Sequence, residues 1–158
     1  MNVSARLAQH PDLSVLMSLY RDLEAEMTAL HPMWPKADGM AEPLGESFEQ
    51  VLDDPAAVVV MGLIEGYPFG FMIGRREPLL PQADGEEVGS IRFVFVEEGA
   101  RQVSVGEEML RLVMSELSAQ GVTRFDAHVL PGHRLVKNFF ESGGFSARSI
   151  VMHHDPTR

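Results

Sequence analysis

The stretch Phe95-Val96-Glu97-Glu98-Gly99-Ala100-Arg101-Gln102-Val103-Ser104-Val105-Gly106-Glu107 decides the fold. Its first residues close an apolar run, Val88–Val96, that reads as a strand. From Gly106 to Gln120, Leu110, Val113, Met114 and Leu117 recur at helical spacing. A strand that enters a helix through so short a loop leaves the first helical N–H groups without partners, and the helix dipole favours an anion beside them. Glycine lets the main chain approach such a ligand closely. A phosphate group is therefore expected along Gln102, Val103, Ser104, Val105, Gly106 and Glu107. An alternative stands beside this one: Ser104 and Glu107 spell a Ser-x-x-Glu capping box, in which the two side chains satisfy the helix end themselves.

Outward from that stretch, the sequence predicts an alternation of helices and strands. Val3–Leu7 reads as a first strand, and Pro11-Asp12 opens a helix with Asp12 as its N-cap. Leu16, Leu19, Tyr20, Leu23, Met27 and Leu30 form one apolar face of that helix, which stops at His31-Pro32-Met33-Trp34-Pro35. A loop to Pro43 precedes a shorter helix, Glu46–Leu52. Val58–Ile64 is continuously apolar, as in a strand buried on both faces, and Glu65-Gly66 turns it back into Tyr67–Arg75. Val88–Val96 completes a meander. Beyond the helix that ends at Gly121, Arg124–Leu130 reads as a strand parallel to Val88–Val96 by the right-handed crossover rule. His133–Ser142 is the last helix, and Phe145–His154 the last strand or bent pair of strands. The order βααβββαβαβ gives an α/β fold: a mixed sheet with helices on both faces, expected as a single domain over residues 1–158.

Composition narrows the function. A net charge of −10 disfavours nucleic acid and anionic lipid and favours cationic partners, although it also serves solubility alone. No apolar run reaches the ~20 residues of a membrane span, and Met1–Arg6 lacks the apolar core of a signal peptide. With no cysteine there is neither a disulfide nor a thiol nucleophile, which fits a cytoplasmic protein. His153 and His154 have no paired acidic ligands nearby in sequence, so no metal site is expected.

The order of elements and two motifs resemble the GNAT acetyltransferase superfamily. Its members carry Arg/Gln-x-x-Gly-x-Gly/Ala between a strand and a helix, here Arg101-Gln102-Val103-Ser104-Val105-Gly106. They also carry a pattern like Asn-x-x-Ala-x-x-Phe-Tyr-Glu-x-x-Gly-Phe. Here it reads His133-Arg134-Leu135-Val136-Lys137-Asn138-Phe139-Phe140-Glu141-Ser142-Gly143-Gly144-Phe145. The resemblance implies an antiparallel meander followed by a parallel, splayed strand pair. It implies acetyl-CoA as co-substrate, its pyrophosphate held by the main chain from Gln102 to Glu107 and its pantetheine arm bonded by Phe95 and Val96. Arg101, with Arg134 or Lys137, would offset the negative charge of Glu107 and Glu108, and Asn138 would bond the pantetheine or face solvent. The chain departs from the family at Ser104, where glycine is usual, and at His133.

Acyl transfer to an amine needs a base, an oxyanion donor and a proton for the departing thiolate. The family's tyrosine donor aligns with Phe140, which cannot donate a proton. The base that some members carry as glutamate aligns with His128, an imidazole suited to neutral pH or else a histidine bonded to a backbone carbonyl. Glu97 is the next candidate base. Trp34 and Tyr67 would form an apolar wall for the acceptor, with Asp38, Glu42 or Glu46 attracting an ammonium group, unless Trp34 merely covers the core. The expected activity is N-acetylation of a primary amine on a small molecule, by direct attack in a ternary complex. The rivals are a non-catalytic acyl-CoA-binding module and a protein or peptide acetyltransferase. The segment after Phe145 is short for two strands, which leaves room for a homodimer that completes the sheet.

Overall fold

The computed structural model describes residues 1–157. Its elements are β1 (Val3–Leu7), α1 (Leu13–Leu30), α2 (Trp34–Ala37), α3 (Leu44–Asp53), β2 (Ala57–Ile64), β3 (Tyr67–Pro78), β4 (Glu87–Val96), α4 (Val105–Ala119), β5 (Phe125–Ala127) and α5 (Arg134–Ser142). The strands form one five-stranded sheet in the order β1-β2-β3-β4-β5, antiparallel from β1 to β4 and parallel between β4 and β5. The mixed sheet with a parallel pair and two helical layers is the architecture expected from the sequence.

Side-chain alternation in β2 shows how the two layers arise. Val59, Met61 and Leu63 point to one face, where Leu16, Tyr20 and Leu23 of α1 and Phe48 of α3 pack. Val58 and Val60 point to the other, against Val105, Met109, Val113 and Leu117 of α4 and Phe140 of α5. Each fully buried side chain of this size stabilises the fold by about 1.5–3 kcal/mol, so the helices are held mainly by these faces. Glycines of the sheet make room for α4. A Cβ on Gly74 would stand 2.7 Å from Val113 and one on Gly62 would collide with Val105.

Four sequence expectations change, the first being that the loop expected from His31 to Pro43 carries the short helix α2. Asp12 does not cap α1; its carboxylate accepts from the Gln9 N–H at 2.8 Å and pairs with Arg6, closing the 3-10 turn His10–Asp12. The strand expected over Arg124–Leu130 is paired only over Phe125–Ala127, because β4 and β5 diverge after the His128 N–H bonds the Ile91 carbonyl at 2.9 Å. The last strand, Phe145–His154, does not form, and residues 145–154 carry no regular structure. Instead, Arg148 is drawn to Asp126, and the His153 ring lies 5.7 Å from that of His31.

Candidate active site

The splay of β4 from β5 has a local cause. Ile73 pairs with Phe93 but Gly74 pairs with Ile91, so Arg92 is an extra, bulged residue in β4. The bulge changes which main-chain groups face β5. Before it, Gly89 and Ile91 do. Beyond it, the Glu97 N–H bonds the Phe69 carbonyl of β3, and by antiparallel alternation Phe95 and Phe93 also face β3. Val94 and Val96 therefore present their main chain to the open edge. This corrects the expectation for Phe95, whose backbone is committed to β3 and whose ring is buried.

The turn between β4 and α4 packs Val103 and Val105 inward, exposes Gln102, Ser104 and Glu107, and leaves several N–H groups without a partner. Val105 is fully buried and Val103 packs on the same core. Among the described residues, the N–H groups of Gln102, Ser104, Gly106 and Glu107 find no acceptor. The Ser104 side chain does not cap the helix, so the capping box with Glu107 does not form. Gln102, Ser104 and Glu107, but not the buried Gly106, border a groove of about 620 Å³ lined also by Arg101, Val103, Val3 and Met1. A second cleft of about 440 Å³ lies on the other side, between Glu107, Leu110, Arg111 and Met114 of α4 and Asn138, Phe139 and Ser142 of α5. Gly106 has its reason in packing: it carries no positive φ, and a Cβ there would stand 2.9 Å from the Phe139 ring.

The cations fall differently from expectation. The Arg101 guanidinium bonds Glu26 of α1 at 2.7 Å and the Val96 carbonyl at 2.8 Å, and lies over the Phe95 ring. Its charge is already neutralised, and it closes one of the two main-chain groups that Val96 offers to the open edge. Glu26 also approaches His133 at 3.5 Å. Burial, chiefly, and Arg101 next to Glu26's opposing pull, lower the His133 pKa, and its Nδ1 is buried without a partner. Lys137 pairs with Glu141 at 3.4 Å and does not line either cleft, whereas Asn138 does. Arg111, not singled out from the sequence, is the further cation on the α4–α5 cleft, joined to Glu108 with its side chain 68% exposed.

At the other end of the open edge stands His128. It follows β5 directly, and with Asp126 and Leu130 it points to the α1 side of the sheet, where Leu130 meets the core. His128 keeps a solvent-exposed edge while protein atoms crowd the rest of its ring. That crowding first, and the Arg92 charge second, lower its pKa below the ordinary 6.5, against the pull of Glu77, Asp126 and Asp38. The imidazole is thus neutral at neutral pH. Arg92 is bonded bidentately to Glu77 (2.7 and 3.2 Å), and Asp126 to Arg148 (2.5 and 2.8 Å). Glu97 lies six strand residues along β4 from Ile91, about 20 Å away, so it does not meet His128.

Two expected acceptor contacts do not come together. Trp34 is buried, 4% exposed, against Tyr20 and Phe93, which makes it a cover of the core. Tyr67, 71% exposed, begins β3 at the β2–β3 hairpin. Phe140 is buried between Phe139 and Phe145 and offers no donor. Among the described residues no group of three His, Asp or Glu is arranged to hold a metal, and no helix is long and apolar enough to cross a membrane.

Comparison with known proteins agrees with this fold. The chain superposes on AAC(6')-Iy in complex with the bisubstrate analog CoA-S-monomethyl-acetylneamine with a TM-score of 0.77 and 15% identity, over 98% of each chain. A putative acetyltransferase from Agrobacterium tumefaciens str. C58 gives 0.70 at 20% identity, over 96% of this chain and 99% of the other. The ribosomal-protein-alanine N-acetyltransferase from Brucella melitensis biovar Abortus 2308 gives 0.70 at 17%, over 98% and 100%. At these identities the likeness concerns the fold. No curated protein matches the sequence. The profile of the Acetyltransferase (GNAT) family, however, matches residues 16–145, and with an open β4 edge leading to unpartnered N–H groups at the start of α4, the chain belongs to the GNAT acetyltransferase family.

Proposed function

We propose that residues 1–158 form one domain, a cytosolic acetyl-CoA-dependent N-acetyltransferase acting on a primary amine of a small cationic molecule. The observation that carries this reading is the set of unpartnered N–H groups at Gln102, Ser104, Gly106 and Glu107, on the turn that follows the unpaired β4 edge. Such groups bind a diphosphate through the main chain and the helix dipole. Glu107 opposes that charge and Arg101 is held in place by Glu26, so Arg111, on the α4–α5 cleft with Asn138, would leave its exposed pair with Glu108 to meet the phosphates. The N–H of Val96 and the main chain of Val94 then serve the pantetheine arm.

An arm extended along that edge from the loop brings its thioester toward His128 and away from Glu97. His128 is therefore the base of this reading, and Glu97 is set aside. The acceptor nitrogen attacks the thioester carbonyl, a C–N bond forms as the C–S bond breaks, and the amine proton passes to the neutral imidazole. A main-chain N–H of the open edge steadies the carbonyl oxygen. With Phe140 in place of a donor, the thiolate takes its proton from water.

The acidic groups about His128 (Asp38, Glu77 and Asp126) favour a cationic acceptor, in keeping with a net charge of −10. Neighbours of the same fold include an aminoglycoside acetyltransferase in complex with sisomicin. The exposed run Ile150–Met152, on a segment outside the sheet, supports a homodimer, checked by mass in solution. The deciding experiment pairs thermal shift with acetyl-CoA and CoA release against a panel of amines. Stabilisation with release on cationic amines is expected. Stabilisation without release on any amine would favour a non-catalytic acyl-CoA-binding module, and no stabilisation would end both readings.

A further inference from the structure

The segment after Phe145 forms neither helix nor strand, yet it is tethered at two points. Arg148 reaches back to β5 and grips both carboxylate oxygens of Asp126 with one guanidinium edge, Nε and Nη2, at 2.8 and 2.5 Å. Farther on, His153 meets the ring of His31, just past α1. The segment thus runs from β5 to the end of α1, across the side of the sheet on which His128 stands. Asp126 lies two residues before His128 on the same face of the strand, close enough for its charge to act on the imidazole.

The two arginines of this cluster are not equivalent. Arg92 is the bulged residue of β4 and is held in the sheet by its neighbours on both sides. Arg148 sits on irregular chain, and its side chain is 70% exposed while that of Asp126 is 17% exposed. An ion pair whose cation is so exposed contributes little to stability and exchanges readily for another cation. The carboxylate is partly sheltered and the guanidinium is the removable half.

We propose that Arg148 is an internal stand-in for the cationic acceptor, filling the Asp126 carboxylate beside His128 until an incoming polyamine displaces it. The proposal rests on the reading of the His128 cleft as the acceptor site, and it makes Asp126 a specificity-determining residue with the segment after Phe145 as its intramolecular competitor. Monoamines too short to reach both Asp126 and the reacting carbon leave Arg148 in place and gain nothing from its removal.

The test needs no turnover. The His128 ring is titrated by NMR in the full chain, for wild type, Arg148→Gln and Asp126→Asn, with and without spermidine. Charged groups acting on His128 come from β4 (Arg92), β3 (Glu77), β5 (Asp126) and the α2 end (Asp38). Removing Arg148 leaves Asp126 unneutralised, so the His128 midpoint rises in Arg148→Gln, and spermidine lowers it again. Spermidine binds Arg148→Gln about fivefold more tightly than wild type, the scale of one exposed ion pair. Asp126→Asn abolishes both effects. An unchanged titration and affinity in Arg148→Gln, or weaker spermidine binding, would overturn the proposal. Acetyl-CoA stabilisation, measured in parallel, separates the two levels: its absence in wild type sinks the acetyltransferase reading itself, whereas its presence with an unresponsive His128 sinks only the role of Arg148.

Discussion

At the loop end of the open β4 edge, the groups on offer are main-chain: the unpartnered N–H groups of Gln102, Ser104, Gly106 and Glu107 and the edge of Val96. At the Ile91 end they are side chains: His128, with Arg92–Glu77 and Asp126–Arg148 around it. The first end is set by backbone direction, so it survives unusual residues such as Ser104. The second depends on particular functional groups held a few ångströms apart, and one substitution there removes the chemistry. A cofactor common to a family suits the first kind of construction; an acceptor peculiar to one protein suits the second.

The sharpest way to break this contrast is His128→Ala. We expect kcat for a cationic amine to fall about 100-fold, while acetyl-CoA affinity, measured by calorimetry, stays within about twofold. Wild-type kcat/KM should rise with pH along a limb centred below 6.5, because the base must be neutral and its pKa is lowered. That limb should vanish in the variant. Equal losses in CoA affinity and turnover would dissolve the distinction between the two ends.

Next in size is Ser104→Pro against Ser104→Ala. The φ of −78° at Ser104 suits proline, and its N–H makes no bond within the described residues. Proline should therefore weaken acetyl-CoA binding about 10-fold with little change in melting temperature, and alanine should bind within about twofold of wild type. If alanine were as damaging as proline, the cradle would depend on the hydroxyl rather than the main chain.

Glu26→Gln probes the link from α1 to the loop end. Replacing the carboxylate with a neutral amide leaves the half-buried Arg101 charge uncompensated, beside the Val96 carbonyl and the Phe95 ring. A loss of about 1–2 kcal/mol is expected, seen as a fall of about 2–8 °C in melting temperature, with the His128 titration unmoved. The smallest effect is in stability against pH. His128 and His133 both have lowered pKa values in the folded chain, so the unfolded chain binds protons first as pH drops. Their contribution is complete above 6.5 and declines as pH falls toward the folded values. Urea midpoints between pH 7.5 and about 5 should show that decline, shallower in His133→Asn.

Much of the frame was legible because apolar periodicity reports burial directly. The run Val58–Ile64 could only be a strand covered on both faces, and the stripe Leu110, Val113, Leu117 only a helix against a sheet. The failures share a cause. Phe145–His154 has strand-like composition, but a strand exists only beside a partner, and side-chain contacts of Arg148 and His153 take the chain elsewhere. Trp34 read equally well as a substrate wall or a core cover, and only its packing against Tyr20 and Phe93 distinguishes them. One available signal was missed: Arg92, a lone charge inside an otherwise apolar strand, marks the bulge that opens β4 from β5.

By itself, the sequence determined the order of elements, the two apolar faces and the loop between β4 and α4, since each follows from local spacing and backbone chemistry. Tertiary structure alone decided that Phe95 bonds inward while Val94 and Val96 face the gap, because a one-residue bulge inverts the direction of every N–H beyond it. It also decided that Arg101 is claimed by Glu26, 75 residues away in the chain, and that Asp126 is claimed by Arg148. Charges choose partners through space, and no local pattern in the chain records which ones will meet.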